Sequence, residues 1–295
     1  MPSFDTPQPI AVTAHVGAGS LRFVADDRTD TVVEVAPHDP KRDKDVRAAE
    51  QTEVGFAAGT LTVRTRERLL IGPSGLVDVT VHLPAGSSAE VTGSWTQILG
   101  EGRLGEVRVK TSTGDVRLDA TGPLRLTVAH GSVTVDHVVG AAEISSSSGS
   151  IRVGTIDGPA VLKNTNGTTV LAAVTGDLRV SGANGGIDIG RTEASVTGTT
   201  SNGPLRVAEV ARGEVRLETA HGSIEIGVRE GTAAWLDVSS THGQVRNALA
   251  SAGAPEDAED REDAGDAGDA GDAEDIVKIH ARTNWGNVDI LRARV

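Results

Sequence analysis

The sequence predicts an all-β fold: a single-chain parallel β-solenoid (β-helix) of coils about 18 residues long, with a β-rich N-terminal cap. Three observations predict it. A glycine returns at Gly114, Gly131, Gly149, Gly167, Gly185, Gly203, Gly222, Gly243 and Gly286, with gaps of 17, 18, 18, 18, 18, 19, 21 and 43 residues. Each glycine opens a phrase in which apolar and polar residues alternate, as in GDVRL, GSVTV, GSIRV, GGIDI and GSIEI. Aromatic residues are scarce, with three Trp, three Phe and no Tyr, so the interior must be built of small aliphatic side chains, which suits a narrow coil.

Alternation with period two gives a strand with one buried face. Its inward pairs run Val116/Leu118, Val133/Val135, Ile151/Val153, Ile187/Ile189, Leu205/Val207 and Ile224/Ile226, with Val245/Asn247 and Val288/Ile290 at the end. A second strand fills the other half of each repeat, with inward pairs such as Val107/Val109, Leu124/Leu126, Leu178/Val180 and Val215/Leu217. A further apolar position, Val138, Ile156, Val174, Val210 and Val228, marks a corner. Such a unit buries too little to stand alone, so successive coils must stack and pair their equivalent strands in parallel. Nine to ten coils at about 4.8 Å each predict a rod about 45 Å long.

Residues 1–92 do not keep the period and form the expected cap, with strands near 9–16, 20–25, 31–36, 60–65 and 76–83 and at most a two-turn helix within 40–54. Residues 93–295 form the expected solenoid, interrupted at 251–275. Within that interruption, 255–275 holds eleven acidic residues and one arginine, so it accounts for most of the net charge of −13. Its AGDAGDAGD composition predicts a disordered acidic loop. The phrase IVKIHARTNWGNVDI at 276–290 then supplies both strands of a last coil that docks to close the rod.

Composition excludes several functions. Without cysteine there is neither a disulfide framework nor thiolate chemistry. No apolar run is long enough to span a membrane, and the first residues lack the basic start and apolar core of a secretory signal, so the expected compartment is the cytoplasm. Scarce aromatics argue against single-strand nucleic-acid sites. Arg108, Arg125, Arg179 and Arg216 on one strand, and Arg117, Arg152, Arg206 and Arg246 on the other, are interrupted by Glu143, Val161, Asp188 and Glu225. They predict a mixed, solvated surface and no nucleic-acid partner.

The best candidate site is the column just before the repeat glycine: Thr113, His130, Ser148, Asn166, Asn184, Asn202, His221, His242 and Trp285. It admits two readings, a polar groove for a ligand or a structural ladder of turn residues, with Asn166, Asn184, Asn202, His221 and His242 at its heart and His221 expected beside His242. Two imidazoles without a third ligand make no metal site. GEGRLG at 100–105 precedes a strand and not a helix, so it is no dinucleotide fingerprint. Asp136 and His137 are adjacent and point apart, which denies them a serine-hydrolase triad. No catalytic, cofactor or metal set is expected.

The phrases TSTGDVRL, SSSGSIRV, NTNGTTVL, TSNGPLRV and TAHGSIEI, with FDTPQPIAVTAHVGAGSLRF, EGRLGEVRVK and VREGTAAWLDV, resemble a bacterial family of β-strand-repeat domains of unknown function labelled "putative adhesin", in its cytosolic actinobacterial form. The resemblance implies a β-solenoid and no established enzyme activity. The family usually has Asp after the repeat glycine; Asp115 keeps it, and Ser132, Ser150, Thr168, Gly186, Pro204, Ser223, Gln244 and Asn287 depart. The expected function is a non-catalytic scaffold binding an unidentified protein partner. The alternatives are a surface adhesin exported by an unrecognised route and a carbohydrate-active β-helix enzyme.

Overall fold

The alternating segments form strands, and the repeat glycines form the turns between them. The computed structural model describes residues 2–65, 75–249 and 276–293. At the N-terminus lie β1 (Ser3–Asp5), β2 (Ala11–Asp26), β3 (Asp30–Pro37), α1 (Asp43–Glu50), β4 (Glu53–Ala57), β5 (Thr60–Arg64), β6 (Val77–Pro84) and β7 (Ser88–Arg103). The central coils are β8 (Val107–Thr113) with β9 (Val116–Thr121), β10 (Leu124–His130) with β11 (Val133–Val139), β12 (Ala142–Ser148) with β13 (Ile151–Asp157), and β14 (Ala160–Asn166) with β15 (Thr169–Val174). They continue as β16 (Leu178–Asn184) with β17 (Ile187–Thr192), β18 (Val196–Asn202) with β19 (Leu205–Val210), and β20 (Glu214–His221) with β21 (Ile224–Val228). The last pairs are β22 (Ala233–His242) with β23 (Val245–Asn247), and β24 (Ile276–Trp285) with β25 (Val288–Arg292).

Through the centre, residues one repeat apart lie over one another. Leu124 pairs in parallel with Val107 on one side and Ala142 on the other. Ile187 lies between Thr169 and Leu205. In the central coils the expected inward side chains are buried, including the corner valines Val138, Val210 and Val228, whereas Val245 and Asn247 of β23, also expected to face inward, are exposed because among the described residues no further level covers them. Together they make one continuous aliphatic core along the axis.

The glycine column has a steric cause. Gly167 sits at φ +139°, and a Cβ there would lie 1.9 Å from the carbonyl oxygen of Gly149 in the level below. Only a residue without a side chain lets successive turns approach so closely. A second column, three residues before each glycine, was not foreseen. It faces inward and is often polar. Asn164 Nδ2 donates to the Gly149 carbonyl at 3.0 Å, Thr219 Oγ1 to Gly203 at 3.2 Å, Thr283 Oγ1 to Gly222 at 2.9 Å and Ser240 Oγ to Gly286 at 2.7 Å. Each hydroxyl or amide satisfies the turn carbonyl of the neighbouring level, which burial would otherwise leave unpaired.

The two ends depart from chain order. At the C-terminus β24 pairs with β20 on one side and with β22 on the other, and β25 lies likewise between β21 and β23. The last coil in sequence is therefore second from the end, and residues 233–247 form the outermost level. This corrects the expectation that 276–290 closes the rod. At the N-terminus β2 pairs along its whole length with β7, and its other edge pairs with β5 and then β6. The first coil in sequence is thus also second from its end.

Parallel stacking consequently reaches well into residues 1–92, and β7 runs through position 93 without a break. The reason is that β2 and β7 each pass through both faces of a coil as one 16-residue strand, which hides the glycine period. Counting from β5/β6 through β2, β7, seven paired coils, β24/β25 and β22/β23 gives twelve levels among the described residues. At about 4.8 Å between neighbouring levels the rod is about 53 Å long, longer than expected. The interruption at 251–275 lies outside the described residues.

Beyond β5/β6 the parallel order stops. Strand β4 pairs antiparallel with β5, β3 antiparallel with β6, and β1 antiparallel with β3. Helix α1 packs on β3 and β6. Buried Asp45 in its first turn accepts a hydrogen bond from the Leu76 amide at 2.9 Å, tying the helix to the start of β6.

Candidate functional site

The residues before the repeat glycines form one edge of the rod. Register places Trp95, Thr113, His130, Ser148, Asn166, Asn184, Asn202 and His221 in succession. The next member is Trp285, and His242 follows it. His221 and His242 are therefore not neighbours. The Trp285 indole stands between them because β24 does, and the His242 ring stacks on it at 3.9 Å between centroids and 6° between planes. Exposed indoles lie near both ends of the column, with Trp95 69% and Trp285 54% exposed, and His242 is its last member at the C-terminal end.

In the middle, Asn184 Nδ2 donates to Asn166 Oδ1 at 2.8 Å, and Asn202 Nδ2 donates to Asn184 Oδ1 at 3.0 Å. Asn166 Nδ2 donates to the Ser147 carbonyl at 3.3 Å. The amides thus bond along the axis, each to the next level. Among the described residues no group of three or more His, Cys, Asp or Glu side chains is placed to hold a metal.

A second feature was not singled out from the sequence. A groove of about 600 Å³ runs along the face formed by β8, β10, β12, β14, β16 and β18. Small residues at the turns into these strands, Pro123, Ala141 and Pro159, together with Val161, make it concave. Its rim carries both signs. Arg108 pairs with Glu106 at 2.6 Å, and Arg125 reaches across to Glu143 at 2.8 Å. Arg179 on the same rim has no ion pair among the described residues. The signal for the groove lies in the sequence: small residues recur at 123, 141 and 159, one repeat apart.

The other arginines follow the mixed pattern. Arg206 lies between Asp188 at 3.3 Å and Glu225 at 3.1 Å, one level to either side. The hydrogen bond to Glu225, aided by both carboxylates, raises its already high pKa. His137 Nε2 lies 2.7 Å from Asp157 on the adjacent strand, so its partner is a carboxylate one coil away and not Asp136. Exposed pairs of this kind each contribute about 0–1 kcal/mol and mainly fix side-chain positions.

At the C-terminal end, His280 on β24 bridges its two neighbours, with Nδ1 3.2 Å from Asp237 of β22 and Nε2 3.4 Å from Glu214 of β20. Arg282 also reaches Asp237 at 3.2 Å. The hydrogen bond from His280, and then that from Arg282, hold the Asp237 carboxyl below its usual range.

The Toastrack DUF4097 family description matches residues 59–291, and the chain belongs to that family. Among solved structures the chain is similar to one described as a putative adhesin from Bacteroides fragilis NCTC 9343, at 10% identity and a TM-score of 0.37, over 98% of this chain and 95% of that one. A second, described as a putative adhesin from Parabacteroides distasonis ATCC 8503, shares 12% identity at a TM-score of 0.34, over 98% and 95%. A third, described as a putative cell adhesion protein from Clostridium sporogenes ATCC 15579, shares 10% identity at a TM-score of 0.23, over 99% and 98%. No curated protein matches the chain.

Proposed function

We propose that this member of the Toastrack family is a non-catalytic interaction module of the cytoplasm, and that it holds an extended segment of a protein partner along the groove over β8 to β18. The observation that carries this reading is the groove itself. It spans six levels, about 24 Å at about 4.8 Å per step, with small apolar residues at its base and charges of both signs on its rim. A surface of this kind offers apolar contact in the middle and polar contact at the border, as protein interfaces do. The rigidity of stacked levels also supports the reading, because a preformed site loses little freedom on binding. Among the described residues no helix is long and apolar enough to cross a membrane.

The test is a pull-down with full-length chain from a lysate of the source cells, beside the groove-filled variant Ala141→Arg/Val161→Arg. A variant on the opposite face, Arg152→Ala, serves as control. A protein retained by the native chain and the control but lost with the groove variant supports the reading. Equal retention by all three chains removes the groove from it, and recovery of the chain from outside intact cells removes the cytoplasm. Turnover of a polysaccharide by the purified chain would replace it with the enzyme alternative.

A further inference from the structure

We propose that the C-terminal end of the rod is the docking surface for a second copy of this chain, joined head to head by antiparallel pairing of β22 with β22 of the other copy. At the opposite end, the outermost parallel level is sealed. Leu61, Val63, Val77 and Val79 are essentially fully buried there, under antiparallel β4 and β3. At the C-terminal end the equivalent inward residues Leu236 and Val238 are half-buried, and Val245 is 43% exposed. Among the described residues nothing pairs with the outer edge of β22 or β23. Exposed large apolar side chains also gather in the last two levels: Trp235, Val245, Ile276 and Trp285. An open edge of backbone N–H and C=O groups beside a half-exposed core is a template for another strand.

Which strand fits can be argued from the chain itself. The segment between Leu249 and Ile276 is built mainly of Ala, Gly, Asp and Glu, which are poor strand formers without apolar side chains to complete the core. The opposite end offers only β1 of three residues and β4 of five at its outer edges. Strand β22 has ten residues, and the edge that matches it in length is another β22. A two-fold axis across the end makes that pairing antiparallel, the same arrangement by which β4 and β3 close the other end, and it yields a closed dimer instead of a fibre. Each copy also carries −10 within 255–275, tethered at this end, so repulsion between the copies should weaken as salt rises.

Sedimentation of the full chain from about 1 to about 200 μM reads the outcome directly. A monomer–dimer equilibrium that tightens between about 0.05 and about 0.5 M salt is expected. Because the chain has no cysteine, Ser239→Cys on β22 and Asp5→Cys on β1 each report on one end through a short bis-maleimide. Dimer cross-linked by Ser239→Cys alone supports the proposal. Cross-linking only in a mixture of the two variants would show head-to-tail contact and overturn it, as would a monomer at every concentration or growth beyond a dimer. Leu236→Lys/Val238→Lys should weaken dimerisation at least about tenfold; an unchanged dimer constant in a chain with native circular dichroism would equally overturn the proposal.

Discussion

The two ends of the rod solve one problem in different ways. Each sets its first or last coil in sequence order one level inward, with β2 between β5/β6 and β7, and β24/β25 between β20/β21 and β22/β23. A strand held on both edges cannot fray by itself, because opening it breaks two ladders. Beyond that shared device the ends diverge. The N-terminal end adds antiparallel strands and a helix that bury its last core residues, whereas the C-terminal end leaves Leu236 and Val238 half-buried. Interlocking secures a coil, and only a cap seals a core.

The largest test of this contrast removes an inner level. Truncation after residue 275 deletes Val277, Ile279, Ala281, Val288 and Ile290, all fully buried. Lost burial of about 8 kcal/mol is comparable to the net stability of a whole domain. Residues 233–247 should then lose hydrogen-exchange protection altogether. Deleting residues 1–5, which removes only β1 from the edge of β3, should leave protection in β2 unchanged.

Glycine substitutions give the next effect. Gly167→Ala places a Cβ against the Gly149 carbonyl between two fixed levels and should cost about 3 kcal/mol or more. Gly243→Ala makes an equally close approach, 1.9 Å to the Gly286 carbonyl, but lies in the outermost level, which is free to shift outward. It should cost about half as much. Gly59→Ala in the β4–β5 turn has φ +76° and open space, so only backbone strain of about 1 kcal/mol applies. Melting temperatures in that order support the comparison; equal losses would break it.

Acid should act on the C-terminal end through Asp237. Its folded-state pKa is depressed, so its contribution is present above the ordinary carboxylate value of 3.8 and is lost as pH falls through the lower folded value. Exchange in β22 should therefore accelerate with acidification in that range more than exchange in β10. Asp237→Asn should abolish the difference.

The smallest effect concerns the interior polar column. Asn164 Oδ1 is buried without a partner among the described residues, while threonines serve the same position at 200, 219 and 283. Asn164→Thr should keep the bond to Gly149 and remove the orphan, giving a change between zero and about 1 kcal/mol of stabilisation. A loss of stability would show that the second amide contact, at 3.4 Å to the Thr168 carbonyl, carries weight.

Much of the central rod was legible in the sequence. Gly114 to Gly222 fixed the turns, and the alternation around Val133 and Ile187 fixed which side chains face the core, because both are local steric rules. The membership of the edge column followed from the same register, and the amide ladder at Asn166, Asn184 and Asn202 joins levels adjacent in sequence. The neighbour of His242 was not legible, because it depends on which level slides beside it. One signal did exist. Asn247 occupies an inward position where the central coils from Leu171 to Ile226 all have an apolar residue, as befits an end level. The groove was equally local in origin, yet small residues 18 places apart become a channel only once levels align.

Taken alone, the amino-acid order determined the coil: its period, its turns, its aliphatic interior and the residues along its edge. Those follow from backbone sterics and from the alternation of a strand with one wet face. Which coil lies on which, at either end, was decided only by tertiary structure. Parallel levels of equal length share one register, so GNVDI can pair as well with GSIEI as with GQVRN, and the choice falls to the burial of whole levels, a long-range quantity that no local phrase contains.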